Sequence, residues 1–278
     1  MFFNAVILNK EAMNYYILYN DGKIYYSDIG EGDIIVLLHG YLETSDIWSG
    51  LAKKLASGYR VISIDLPGHG LSKVYGECHT MEFMAGAVKC LLDNLNIKKI
   101  FLAGHSLGGY VSLAFVDLYP EMLTGYCLFH SHPFEDSRDT LQKREREIKV
   151  VRSGKKYLLY PENISMMYAS ENIGKFREAL QRSKDIASTI RDEGIIAILN
   201  GMMVRPSRLS VIEKGKVPCL WILGGKDNYI SCKAVQEKVK LPANAKVVIL
   251  EKSGHMGFVE EEDLSVKVLT DFIKGLAK

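Results

Sequence analysis

The chain alternates between short runs of aliphatic residues and longer stretches whose apolar residues recur every three or four positions. Short apolar runs are typical of strands that helices cover on both faces. The segment Asn20-Asp21-Gly22 between the first two runs indicates a hairpin. The predicted strands are Tyr15–Tyr19, Lys23–Asp28, Ile34–Leu38, Arg60–Ile64, Lys99–Ala103, Tyr126–Phe129, Cys219–Leu223 and Lys246–Leu250.

Three stretches between and after these strands have helical periodicity. They are Met81–Leu95, Ser106–Tyr119 and Phe258–Leu276. Strands that alternate with helices predict an α/β fold with a mainly parallel sheet and right-handed crossovers.

One long stretch, residues 133–213, interrupts the alternation. It contains helical spacing but no convincing strand pattern. Since ligands of open α/β sheets bind beyond the carboxyl ends of the strands, an insertion at that edge would cover the site. We therefore predict a core domain made of residues 1–132 and 214–278, with 133–213 inserted as a helical cap.

Composition narrows the functional class. The 278 residues carry 35 Lys and Arg against 33 Asp and Glu, a net charge of +2, which disfavours a nucleic-acid partner. No apolar run approaches the roughly 20 residues of a membrane span, and residues 1–10 lack the basic start of a signal peptide. The five cysteines lack disulfide or zinc spacing, so we expect reduced thiols in a cytoplasmic protein, with a catalytic cysteine left open as an alternative.

The pentapeptide Gly-His-Ser-Leu-Gly at residues 104–108 follows a predicted strand and precedes a predicted helix. This context is the one that a nucleophile elbow requires, with Ser106 on the tight turn. Glycine on both sides of the serine allows strand and helix to approach closely. The alternative is a glycine-rich turn in which the serine is incidental.

A serine needs a base and an acid partner to act as a nucleophile. Asp227 and His255 each follow a predicted strand, so both belong to the sheet edge that carries Ser106. Their order along the chain is that of a Ser–Asp–His triad. We predict His255 as the base and Asp227 as the acid that orients it.

Four other residues are rivals for these roles. Glu135 or Asp136 stays open as the acid, and His130 and His132 are weaker candidates for the base. The His-x-His spacing also resembles a metal-binding pair, but a third ligand is not apparent in the sequence, so we favour a packing role.

The oxyanion of an acyl-transfer intermediate needs two N–H donors. We predict the backbone N–H groups of Leu107 and of Tyr41, with Gly40 allowing a sharp turn and His39 ordering the loop. The predicted substrate contacts are Leu42, Met256, Met166 and Met167, although the cap methionines are equally compatible with a core role.

Together these motifs resemble the α/β-hydrolase superfamily. The resemblance rests on His39-Gly40, the segment 65–72 (Asp-Leu-Pro-Gly-His-Gly-Leu-Ser), the elbow at Ser106, and the loops at 225–227 and 254–255. It implies a mostly parallel eight-stranded sheet with helices on both faces, and a Ser106–Asp227–His255 triad. It also implies a structural role for Asp65 and its turn.

We therefore expect a serine hydrolase that cleaves a small carboxylic ester or thioester through an acyl-enzyme, with no metal or organic cofactor. Two alternatives stay open. One is a carbon–carbon bond hydrolase or lyase of the same fold, and the other is a small-molecule sensor with slow turnover. The sequence predicts neither the natural substrate nor the oligomeric state.

Overall fold

The computed structural model describes residues 14–158 and 160–276, so the N-terminal segment 1–10 lies outside the described residues. Its centre is an eight-stranded sheet with the order β1-β2-β4-β3-β5-β6-β7-β8. The first two pairings are antiparallel and the other five are parallel. The strands are β1 Asn14–Tyr19, β2 Gly22–Ile29, β3 Ile34–Leu38, β4 Arg60–Ile64, β5 Ile100–His105, β6 Leu123–Phe129, β7 Cys219–Gly224 and β8 Ala245–Leu250.

Helices cover the strands whose apolar runs predicted such burial. Every residue of β5 and β7 is buried, because helices α2 and α3 pack together against the sheet and α1 and α11 form another packed pair. The helices of the core are α1 Ser49–Leu55, α2 Met81–Asn94, α3 Leu107–Leu118, α9 Cys232–Lys238, α10 Gly257–Glu260 and α11 Glu262–Leu276. Those of the segment between β6 and β7 are α4 Arg138–Arg152, α5 Tyr160–Ser165, α6 Arg177–Thr189, α7 Asp192–Met203 and α8 Leu209–Glu213.

The hairpin, the eight strands and the α/β class are confirmed, with small differences at the ends. The prediction of one continuous helix over Phe258–Leu276 is wrong. Glu261 leaves the helical conformation, with φ −131° and ψ 54°, and separates α10 from α11. Its carboxylate accepts hydrogen bonds from the Lys252 N–H and the Ser253 hydroxyl, so the break holds the loop after β8.

Two features were absent from the sequence prediction. Helices α1 and α9 are only seven residues long, too short for a helical period to be distinctive. Strand β6 also begins three residues early, at Leu123, because Thr124 and Gly125 interrupt the apolar run. At Gly125 a Cβ would lie 2.7 Å from the end of the Leu276 side chain and 3.1 Å from the Phe101 ring, so a larger residue there would displace these neighbours.

The segment between β6 and β7 contains helices and no strand among its described residues, which exclude 159. Within it α4 packs against α7 and α5 against α6, and Ile148, Leu180 and Ile198 are buried. None of the helices among the described residues is long and apolar enough to span a bilayer.

The strand order reverses next to the elbow. Strand β3 pairs with β4 on one side and with β5 on the other. The loops that leave the carboxyl ends of β3 and β5 therefore diverge to opposite sides, which opens a crevice at that point. Tyr41 follows β3 and Ser106 follows β5, so both border this crevice.

Candidate active site

Ser106 lies on a strained turn between β5 and α3. Its φ of 48° and ψ of −110° are unusual for a residue with a side chain. The turn is held on both sides, since the Ser106 N–H donates to the Phe129 carbonyl and the Ser131 hydroxyl donates to the Ser106 carbonyl. The serine thus stands at the N-terminus of α3, where the helix dipole favours negative charge.

Two glycines make this turn possible. A Cβ on Gly104 would lie 2.2 Å from the Gly108 carbonyl oxygen, and one on Gly108 would lie 2.3 Å from the Leu38 carbonyl oxygen. Both contacts are with backbone, which cannot move aside as a flexible side chain can. The glycines are therefore needed for close approach of α3 to β3 and β5, as the motif predicts.

The predicted oxyanion donors border the crevice. Within the described residues, the backbone N–H groups of Tyr41 and Leu107 have no hydrogen-bond acceptor. The interpretation of Gly40 as the sharp turn is wrong, because the positive φ of 62° belongs to Leu42. Gly40 is needed for space, since a Cβ there would lie 2.7 Å from both the Glu43 carboxylate and the His105 ring.

Both ring nitrogens of His39 contact backbone groups. Its Nδ1 lies 2.7 Å from the Gly40 carbonyl, and its Nε2 accepts from the Leu66 N–H. Asp65 accepts from the N–H and hydroxyl of Ser45 and from the Leu71 N–H. These bonds tie the loop after β3 to the loop after β4.

The loops after β7 and β8 bring Asp227 and His255 together. The Nδ1 of His255 lies 2.7 Å from Asp227 Oδ2, while Asp227 Oδ1 accepts from the N–H groups of Tyr229 and Ile230. Burial alone would raise the pKa of Asp227, but the charge and N–H groups of the facing histidines lower it well below its usual range. Burial likewise disfavours the cationic His255, yet Asp227 outweighs it and raises the pKa of His255 above its ordinary value.

His130 lies behind this pair rather than in the position of a base. Its Nε2 accepts from the Gly257 N–H, which leaves the proton on Nδ1, 3.4 Å from Asp227 Oδ2. Burial lowers the pKa of His130 to about 4, so the ring is neutral near neutral pH. The ligand atoms of His130, Asp227 and His255 lie within 4.8 Å of one another, as in a small metal site. Hydrogen bonds already engage Asp227 on both oxygens, however, and they engage His255 Nδ1.

The rival acids lie elsewhere. Asp136 is held by two arginines, with Arg144 Nε at 2.6 Å and Arg205 at 2.7 Å, and Glu135 is exposed. His132 contacts the Tyr110 hydroxyl and the Phe134 N–H. Neither carboxylate is bonded to His255.

The predicted substrate contacts have different environments. Leu42 and Met167 are buried and Met166 is exposed. The carbonyl of Met167 accepts from the His255 N–H, so the backbone of this residue holds the loop that carries His255. Met256 is buried and lines a groove of about 480 Å³ between α1 and α6, whose lining residues do not include Ser106. Substrate contact by these four side chains stays a prediction.

Several residues at the site escaped the sequence prediction. The Tyr41 hydroxyl donates to Glu147 of α4, so the predicted oxyanion loop contacts the inserted segment directly. Glu260 accepts from the Gly254 N–H next to His255. Glu43 and His105 form a buried pair beside Ser106. Glu43 lies three residues after Gly40 and His105 directly precedes Ser106, but the contact between them depends on the fold.

Comparison with known proteins supports the fold. A family model described as alpha/beta hydrolase fold matches residues 33–145. An esterase from Thermogutta terrifontis superposes with a TM-score of 0.90 at 25% identity, over 96% of this chain and 100% of the esterase. The chain therefore has the α/β-hydrolase fold.

Two curated relatives of this hydrolase match over most of their length. The chain is 28% identical over 255 residues to a putative 2-succinyl-6-hydroxy-2,4-cyclohexadiene-1-carboxylate synthase of Bacillus subtilis, covering 88% of the chain and 91% of the relative. It is 24% identical over 266 residues to a pimeloyl-[acyl-carrier protein] methyl ester esterase of Aeromonas hydrophila, covering 88% and 96%. The predicted hydrolase class is confirmed at this level.

Proposed function

We propose that the protein is a serine hydrolase that cleaves a small carboxylic ester or thioester through an acyl-enzyme. Ser106 is the nucleophile, His255 the general base and Asp227 the residue that orients it. The observation that carries the proposal is the 2.7 Å hydrogen bond between His255 Nδ1 and buried Asp227, formed at the sheet edge where Ser106 begins α3.

The first half-reaction forms the acyl-enzyme. Because Asp227 holds the proton on Nδ1, Nε2 of neutral His255 is free to accept the proton of the Ser106 hydroxyl. The serine oxygen adds to the acyl carbon, and the carbonyl electron pair moves to oxygen. The N–H groups of Tyr41 and Leu107 stabilise this oxyanion. Collapse expels the alcohol or thiol, which takes the proton from His255.

The second half-reaction repeats these steps with water. His255 removes a proton from the water that attacks the acyl carbon, and then returns it to the Ser106 oxygen as the acid leaves. Asp227 remains a carboxylate throughout and stabilises the imidazolium that forms twice per turnover. The segment 133–213 acts as the cap that selects the acyl group.

The test is a series of p-nitrophenyl esters from acetyl to octanoyl, assayed with the wild type and with Ser106→Ala. We expect turnover of the shorter esters by the wild type and none above background by the variant. Labelling by a fluorophosphonate should also require Ser106. An alanine variant with wild-type rates would overturn the mechanism.

A second candidate is carbon–carbon bond hydrolysis or a lyase reaction with the same residues. The similarity to the Bacillus subtilis relative supports this candidate, because that relative is named as a putative synthase and not as an esterase. A wild type that labels at Ser106 but leaves every ester intact would favour this candidate, and a panel of dienoic ketone substrates would then test it.

A further inference from the structure

A buried acid–histidine pair lies beside the triad and has no part in the proton transfers above. Glu43 Oε2 is 2.8 Å from His105 Nδ1, and the side chains are 3% and 0% exposed. His105 directly precedes Ser106, and Glu43 ends the loop that carries Tyr41. The pair therefore joins the two segments that supply the proposed oxyanion donors.

The pair also reaches the base. The second ring nitrogen of His105, Nε2, lies 2.9 Å from the backbone carbonyl of His255. The rings of His105 and His255 are 4.8 Å apart between centroids. The same oxygen of Glu43, Oε2, also accepts a hydrogen bond from the Gly40 N–H. One carboxylate and one imidazole thus contact the oxyanion loop, the elbow and the base loop.

The acceptors define the protonation state of His105. A carbonyl oxygen only accepts, so the contact with His255 requires a proton on Nε2. Glu43 Oε2 lies 2.8 Å from Nδ1, and two acceptors cannot face each other, so one proton lies between them. Although burial alone would raise the pKa of Glu43, its pairing with His105 lowers it, which favours a carboxylate with this proton on Nδ1. A ring with protons on both nitrogens is an imidazolium. The other groups that face the pair are the imidazoles of His39, His130 and His255, the rings of Trp48 and Phe258, and the phenol of Tyr168.

We propose that Glu43 and His105 form a buried carboxylate–imidazolium pair that positions the oxyanion loop and His255 around Ser106. Both are positioning residues, because neither is directed at the scissile bond. The requirement for glycine at position 40 fits this role, since a Cβ there would collide with both partners of the pair. The kinetic part of the proposal rests on the proposed serine hydrolase function.

The protonation state can be measured without any substrate. We would record long-range ¹H–¹⁵N correlations of ¹⁵N-histidine-labelled wild type at about pH 8, where an ordinary histidine of pKa about 6.5 is neutral. His105 is assigned by the loss of its signals in His105→Gln. Two protonated ring nitrogens are expected in the wild type, and one in Glu43→Gln. A wild-type His105 with a single ring proton would overturn the pair.

The positioning role is tested by kinetics. Since displacement of a catalytic group by about 1 Å can cost about 100-fold in rate, we expect Glu43→Gln to lower kcat at least about tenfold with KM little changed. Affinity for a boronic acid, which mimics the tetrahedral intermediate, should fall by the same factor. A loss confined to KM, or unchanged kcat, would contradict the role.

The matched control is Asp28→Asn. Asp28 pairs with Arg60 at the amino end of β4, away from the crevice. The Asp28→Asn variant should keep the wild-type kcat. Equal losses of kcat in Asp28→Asn and Glu43→Gln would also contradict the positioning role of Glu43. If the wild type fails to cleave esters, the proposed function fails while the nitrogen spectra still decide the pair.

Discussion

Asp227 is surrounded by N–H groups on both oxygens. It accepts from Tyr229 and Ile230 through Oδ1 and from His255 through Oδ2, with His130 at 3.4 Å. This arrangement keeps the carboxylate ionised and fixes one tautomer of His255. In the proposed mechanism, the Asp227 side chain thus leaves Nε2 of His255 free to act as the base.

Asp227→Asn should remove that control. An amide in place of the carboxylate can hold the wrong tautomer and stabilises the imidazolium poorly, so kcat/KM should fall about 10³- to 10⁴-fold. Initial rates on p-nitrophenyl acetate measure the effect. Glu135→Gln, a change at an exposed rival acid, should keep the wild-type rate. If instead Glu135→Gln shows the larger loss, Asp227 is not the acid.

The raised pKa of His255 predicts a direction for the pH profile. The base must be neutral, and a raised pKa keeps it protonated up to a higher pH. Activity should therefore be lost on the acid side with a midpoint above the ordinary value of about 6.5. A profile of kcat/KM against pH measures this midpoint. A midpoint below the ordinary value would mean that burial outweighs Asp227.

Among single residues, the sequence predicted those candidate site residues that directly follow a strand. Ser106, Asp227 and His255 each stand just beyond an apolar run, so a parallel sheet places all three at one edge. The contact of Glu43 with His105 links residues 62 positions apart, and nothing in either local pattern requires it. Tertiary pairs of this kind need the fold before they can be recognised.

At the scale of elements, the elbow depends on how closely α3 approaches the sheet. Gly108 faces the Leu38 carbonyl of β3 across the gap. Strand positions were predictable because β5 and β7 are buried throughout and β3 is buried apart from half-buried Ile34, so all three contain apolar runs. Short helices such as α1 lacked that signal.

Gly108→Ala and Gly275→Ala make the same change within two helices. A Cβ at Gly108 would lie 2.3 Å from backbone, so overpacking should destabilise the protein by about 3 kcal/mol or more. At Gly275 nothing lies within 4 Å, and alanine should be neutral or stabilising by up to about 1 kcal/mol. Urea denaturation followed by circular dichroism compares the two. Equal stability of the variants would show that α3 can shift to accept a side chain.

At the scale of the whole molecule, hydrogen bonds join the inserted segment to the core at the loop that carries His255. Glu260 of α10 accepts from the Gly254 N–H through Oε1, and from the Ala169 N–H and the Asn172 amide through Oε2. The Met167 carbonyl accepts from the His255 N–H. The position of His255 therefore depends on the segment that the sequence predicted only as a helical insertion.

Glu260→Gln tests this dependence. A glutamine has one acceptor oxygen, so at least one buried N–H loses its partner, at a cost of about 1–3 kcal/mol. The change also removes a negative charge that helps to raise the pKa of His255, so the acid midpoint of kcat/KM should move down. Urea denaturation and the pH profile measure the two effects.

The control for Glu260→Gln is Glu237→Gln, because Glu237 forms an exposed pair with Lys233 at 3.9 Å. Such surface pairs contribute little, so both stability and midpoint should stay within error of the wild type. A Glu260→Gln protein as stable as this control would mean that Ala169 and Asn172 of the inserted segment find other partners. Lost stability with an unchanged acid midpoint of kcat/KM would instead show that Glu260 has only a structural role. Its charge would then have no effect on the pKa of His255.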